Sequence, residues 1–350
     1  MLNSGRNSEG GWVMDLRCPY CLNETRPELK PGIGYCCREC QEALPKDYVD
    51  PLNSRARIGL VGFTGHGKTV YLTSLFYTLR VLSNRDIWRN FSWRTCDDHT
   101  HKIKYSDVRK FENSRLPAST PENFPRPALI HLQNVPSMGD IFLSFYDTAG
   151  RVYESAEKIT DMGRFVAHAD TVFFLISLSE SGLGECDMGD VSFEMERLLD
   201  IYIRGVYEKM HVDLSDKQEM VVLLTKADEI DILPEDLHKF LNESSCNWWM
   251  NDDLEARFSA LDNYSERIRE WLRSEGCGGF VNLAENNFKG VKYTLISSTG
   301  ASPVGDTLVT KLEPEHPKGV INPLVFAMRS ACSRESAQGV RSFIGKIRRR

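Results

Sequence analysis

The residues best equipped for chemistry lie in one octapeptide, Gly62-Phe63-Thr64-Gly65-His66-Gly67-Lys68-Thr69. It fits G-x-x-x-x-G-K-[ST] at every fixed position, the spacing of a loop that cradles phosphates. Gly62, Gly65 and Gly67 let successive backbone N–H groups turn inward, and Thr64 and His66 add theirs to the same loop. Lys68 is placed to reach the outer phosphates of a nucleotide, and the Thr69 hydroxyl to bind Mg²⁺. Such a loop needs a strand before it and a helix after it. Arg57–Val61 reads as a short buried strand, and Leu72, Leu75, Phe76 and Leu79 recur at helical spacing, so a helix N-terminus adds its dipole.

Three more apolar strands run into polar loops. Ile141–Tyr146 ends in Asp147-Thr148-Ala149-Gly150, where Asp147 can hold Mg²⁺ through water and the Gly150 N–H can meet a terminal phosphate. Met220–Leu224 ends in Thr225-Lys226-Ala227-Asp228. A carboxylate there accepts from guanine N1 and N2, donors that adenine lacks, and the Lys226 stem packs over the base. Tyr293–Ile296 ends in Ser297-Ser298-Thr299-Gly300, a loop able to close over guanine O6.

A second kind of chemistry sits near the N-terminus. Five of the ten cysteines fall between Cys18 and Cys40. Cys18-Pro-Tyr-Cys21 and Cys37-Arg-Glu-Cys40 are two C-x-x-C pairs with fifteen residues between them, the spacing of a structural Cys₄ zinc ribbon. Cys36 competes with Cys37, which is preferred because its spacing to Cys40 repeats that of the first pair. A module of about 30 residues is too small to hold a core alone, so zinc is expected to supply its folding energy. The ribbon by itself is equally suited to docking nucleic acid or protein.

Taken in order, GFTGHGKT, DTAG, TKAD and SST resemble the successive motifs of the small-GTPase-like domain, in the translation-factor-related class of P-loop GTPases, over Arg57 to about Cys332. The ribbon upstream and the long insert before the second strand are similar to the bacterial double-GTPase group. The resemblance implies a regulatory switch that binds GTP and GDP with Mg²⁺, hydrolyses GTP, and works with a protein partner or a second GTPase in conflict or signalling systems. It also marks two departures. Where Ras-like members have a water-orienting glutamine after DxxG, this chain has Arg151. That residue leaves three readings open: hydrolysis completed by a partner, water positioned by Glu154 or His66, or Arg151 itself stabilising transition-state charge. A solvated Arg151 in a mobile switch is as good a reading. The threonine of the first switch falls in a long segment with Thr95, Thr100 and Thr120, of which Thr120, nearest the strand Leu129–Leu132, is favoured.

Around these sites the chain is ordinary: 350 residues, 41% hydrophobic, 26% charged, net charge −6. That charge argues against wholesale coating of nucleic acid. No apolar run approaches the roughly 20 residues of a membrane span, and no signal-peptide pattern opens the chain, so a cytoplasmic protein is expected. The expected organisation is a disordered start (1–12), the ribbon (13–45), a linker (46–56), and a P-loop domain (57–332) with an insert near 83–127. Its fold class is α/β, a mostly parallel sheet with helices on both faces. A basic helix or tail follows (333–350). Arg341, Lys346, Arg348, Arg349 and Arg350 suit anionic lipid or nucleic acid, though a helix docked on the domain accounts for them equally. The pair Trp248-Trp249 reads as packing rather than as a binding platform.

Overall fold

The computed structural model describes residues 15–51, 53–118, 120, 125–179, 188–230, 232–250, 253–305, 307–308 and 311–334 in full, and 5–6, 12–13 and 335–347 as backbone. The expectation for residues 1–12 lies mostly outside this set, as do the side chains of the basic end. Among the described residues no helix is long and apolar enough to cross a membrane.

Seven strands form the central sheet: β1 Ser54–Val61, β2 Ser92–Thr95, β3 Ala128–Val135, β4 Gly139–Tyr146, β5 Thr171–Ser177, β6 Glu219–Thr225 and β7 Gly290–Leu295. Their spatial order is β7-β6-β5-β1-β4-β3-β2. Strands β7, β6, β5, β1 and β4 are mutually parallel, whereas β3 runs antiparallel to β4 and β2 antiparallel to β3. Sequence explains the centre. Every residue of β5 is buried, and only Glu219 of β6 is not, the pattern of strands covered on both faces. The sheet is flanked by helices, chiefly α1 Lys68–Asn84, α2 Met188–Ile203, α3 Leu254–Ser274, α4 Gly278–Asn287 and α5 Asn322–Ile347. Helix α3 begins at an Asp253 cap that accepts from the Ala256 N–H.

Parallel strands send their following loops off one edge. Tyr146 pairs with Gly59, Ser177 with Thr225, and Leu224 with Leu295, so the loops after β1, β4, β6 and β7 leave side by side. That edge, where the chain turns to opposite sides from the central β1, is where ligands bind in open α/β sheets.

One expectation changes. The stretch 46–56 is not an open linker: Lys46–Val49 forms a helical turn with Tyr48 and Val49 buried, and β1 already starts at Ser54. The insert carries elements of its own. It holds β2 and a helical run from Asp98 to Glu112 whose middle, Ile103–Asp107, widens to π-type turns. Trp249 is 1% exposed and packs edge-on to Trp88, while Arg257 lies over Trp248.

Candidate functional site

The cysteine module consists of two matched turns. In the first, the Leu22 N–H bonds the Cys18 carbonyl and the Cys18 N–H bonds that of Asn23; in the second, Gln41 bonds Cys37 and Cys37 bonds Glu42. The residue after each second cysteine, Leu22 and Gln41, adopts a left-handed φ of 65° and 62°. The Sγ atoms of Cys18, Cys21, Cys37 and Cys40 lie within 4.8 Å of one another. Cys18–Cys40 and Cys21–Cys37 stand 3.7 and 3.8 Å apart. Thiolates about 2.3 Å from one ion in a tetrahedron stand about 3.8 Å apart, so the set is able to hold zinc. Cys36 turns its sulfur to the Gly34 carbonyl instead. Burial pushes the Cys37 thiol up, but N–H groups of Cys40 and Glu39 outweigh it and bring it to about 7.

The candidate phosphate loop, Gly62–Gly67, joins β1 to α1. Gly67 caps the helix at φ 82°, and Thr64 and Gly65 form an exposed rim. Lys68 is 6% exposed and donates to the carbonyls of Gly62 (2.7 Å) and Phe63 (3.1 Å). Burial lowers it to about 8, with Asp147 pulling it back up. Thr69 Oγ1 lies 2.7 Å from Thr120 Oγ1, and both hydroxyls reach Asp147 Oδ2, at 2.9 and 2.7 Å. Three chain segments thus bring two hydroxyls and a carboxylate to one point. The second oxygen, Asp147 Oδ1, is buried with no hydrogen-bond partner among the described residues. An oxygen-rich set with an orphaned carboxylate oxygen fits a hard divalent cation such as Mg²⁺. Burial raises Asp147 above the usual carboxylate range, against Lys68 and the two threonines. Of the other threonines in the insert, Thr100 is buried and bonds Asp97 and the Leu129 N–H, while Thr95 ends β2.

Gly150 sits directly on the phosphate loop: a Cβ there would stand 2.0 Å from Thr64 N. The next residue, Arg151, is exposed at the start of the 3₁₀ turn Gly150–Glu154. Of the residues considered for positioning water, Glu154 pairs with Lys158 at 2.8 Å in an exposed ion pair, and the ring nitrogens of His66 lie 2.8 Å from Leu175 O and 3.2 Å from Glu194 Oε2.

The loops after β6 and β7 complete the edge. The Ala227 N–H bonds the Ile296 carbonyl, and the Thr225 hydroxyl bonds the His66 carbonyl at 3.3 Å. Lys226, at φ 57°, donates to Ser179 O. Asp228 is exposed at the mouth near Ser297; desolvation by the surrounding loops raises it, and Ser297 works the other way. Ser297 also accepts from the Gly300 N–H, and Ser74 of α1 donates to Ser298 O. Sequence reading missed Ser74, Ser179 and Glu194, since isolated polar residues in helices and loops carry no spacing signal. It missed Tyr153 as well, whose hydroxyl bonds Leu60 O and whose ring lies 5.8 Å from the Lys68 ammonium.

Compared with known proteins, the chain matches no family model and no curated protein.

Proposed function

We propose that this chain is a Mg²⁺-dependent GTP-binding protein that hydrolyses GTP to GDP and acts as a nucleotide switch. The observation that carries the reading is the meeting of Thr69, Thr120 and Asp147 beside Lys68, at the sheet edge where Asp228 and Ser297 also stand. Loop N–H groups and Lys68 bind and orient the phosphates, and Asp228 with Ser297 selects guanine through its N1 and N2 donors. A bound Mg²⁺ neutralises charge on the outer phosphates, with Thr69, Thr120 and Asp147 as the residues that hold it. Loss of the terminal phosphate removes the partner of the Gly150 N–H and loosens the segments carrying Thr120 and Asp147–Glu154. The four-cysteine module is read as a structural zinc ribbon, because four thiolates leave no open position for a substrate.

The test is a titration with GTP, ATP and xanthosine triphosphate in the presence of Mg²⁺. GTP is expected to bind best, and Asp228→Asn to shift preference toward the xanthine nucleotide by about 10²-fold or more. Equal or tighter binding of ATP would sink the guanine assignment. Arg151, in place of a water-orienting residue, favours a second reading in which GTP is bound but not turned over. Single-turnover hydrolysis no faster than that of Lys68→Ala would select it.

A further inference from the structure

Tyr153 is the aromatic residue of the 3₁₀ turn Gly150–Glu154, and its side chain is 0% exposed. Its hydroxyl donates to the Leu60 carbonyl at 2.7 Å. Strand β4 ends at Tyr146, which pairs with Gly59, so the tyrosine grips β1 one residue past the end of that ladder. At the head of the same turn Gly150 lies against the backbone of Phe63 and Thr64. The turn is thus fastened at both ends, to the strand before the candidate phosphate loop and to the loop itself.

The Tyr153 ring does something else. The Lys68 ammonium lies over it, 5.8 Å from the ring centroid. Lys68 is 6% exposed, and it spends two of its three donors on the carbonyls of Gly62 and Phe63. Its acidic neighbour is Asp147, at the end of β4. A buried ammonium has lost the water that would solvate it, and an aromatic face within about 6 Å replaces part of that solvation. One side chain therefore joins the strand before the loop, the lysine after it and the turn that carries Gly150.

We propose that Tyr153 is a positioning residue for Lys68 and Gly150: its hydroxyl fixes the turn on β1, and its ring holds the ammonium at the loop before any ligand arrives. A polyphosphate then meets a lysine already in place, and none of the affinity is spent on ordering it. The polyphosphate rests on the nucleotide reading; the pairing of ring and ammonium does not. The experiment uses the full chain with Mg²⁺ and compares Tyr153→Phe, which keeps the ring and loses the hydroxyl, with Tyr153→Leu and Tyr153→Met, which lose both. All three are expected to unfold at lower temperature, because each gives up the Leu60 bond. Tyr264→Leu, which removes a buried ring stacked on Phe240 in α3, controls for core damage alone. GTP affinity is expected to fall about five- to tenfold in Tyr153→Leu and Tyr153→Met, and to stay within about twofold of wild type in Tyr153→Phe and Tyr264→Leu. With ¹³C-labelled lysine, the Lys68 side-chain signal, assigned by its loss in Lys68→Met, should be ring-shifted in the wild type and Tyr153→Phe and unshifted in Tyr153→Leu. Leucine and methionine variants that bind GTP as tightly as Tyr153→Phe overturn the proposal, and so does a Tyr153→Phe as weak as they are. Should the wild type bind no nucleoside triphosphate, the nucleotide reading falls; a ring-shifted Lys68 signal then still upholds the pairing, and an unshifted one overturns it as well.

Discussion

Lys68 shows how a residue proposed to bind phosphate can oppose folding. Burial lowers it to about 8 despite Asp147. Between about pH 8 and its ordinary value near 10.4, the unfolded chain holds a proton that the folded chain has released. Stability on this account rises with pH across that window, and below it the buried ammonium costs the fold about 3 kcal/mol. Lys68→Met should flatten the slope and stabilise the chain by up to about 3 kcal/mol in urea unfolding near neutral pH without added nucleotide, while abolishing nucleotide binding. A destabilised Lys68→Met would contradict this. Gly150 is the converse case. Because the atoms a Cβ would strike are backbone of Phe63 and Thr64, no side chain can swing aside. Gly150→Ala should cost about 1–3 kcal/mol and weaken GTP binding, read by thermal unfolding and titration.

The two cysteine turns make an element-scale argument. Each must place two sulfurs on one point within four residues, and each does so by turning the following residue, Leu22 or Gln41, into the left-handed region. That conformation costs an L-residue about 1–2 kcal/mol, more when the side chain is β-branched. Gln41→Gly should therefore retain zinc at least as well as the wild type, and Gln41→Val should release it faster to a chelator. Equal release rates would mean that the turn geometry does not limit the site. In the sheet, the same economy of local chemistry operates at strand ends. The mainly apolar ends of the strands give way to Gly, Asp, Thr or Ser where β1, β4, β6 and β7 stop, so each strand delivers one polar loop to a common edge.

At the scale of the molecule, the cysteine module is docked on the sheet rather than tethered to it. Leu16, Cys18, Cys37, Leu44, Tyr48 and Val49 form one apolar cluster with Leu129 of β3 and Phe142 of β4. Tyr20 bonds Asp97, and Arg126 lies 4.7 Å over the Tyr20 ring while pairing with Glu42. Most telling is Tyr146, the residue before Asp147, whose buried hydroxyl donates to the Pro19 carbonyl at 2.7 Å, inside the first cysteine turn. Stripping zinc is expected to raise hydrogen exchange at residues 145–150 as well as at 15–45. Tyr146→Phe should cost about 1 kcal/mol, keep its zinc, and confine the change to 15–45. Exchange unaltered beyond residue 45 in the wild type would show the two parts to be independent.

What the sequence determined by itself was local. The candidate phosphate loop, the polar ends of four strands and each C-x-x-C pair are written within short segments, where backbone sterics and the strand or helix period act directly. The tertiary structure decided whatever depends on residues far apart. It brings Thr120, rather than Thr95 or Thr100, to Thr69 and Asp147, because only the path of the insert sets which hydroxyl arrives there. It turns Cys37 inward and Cys36 away at the second cysteine turn, and it packs the stretch expected to be a linker. Glu194 meets His66 across 128 residues, in a helix whose own pattern speaks only of its buried face. Spacing encodes what one segment does with its own backbone; which segments meet is set by how the sheet buries its apolar surface.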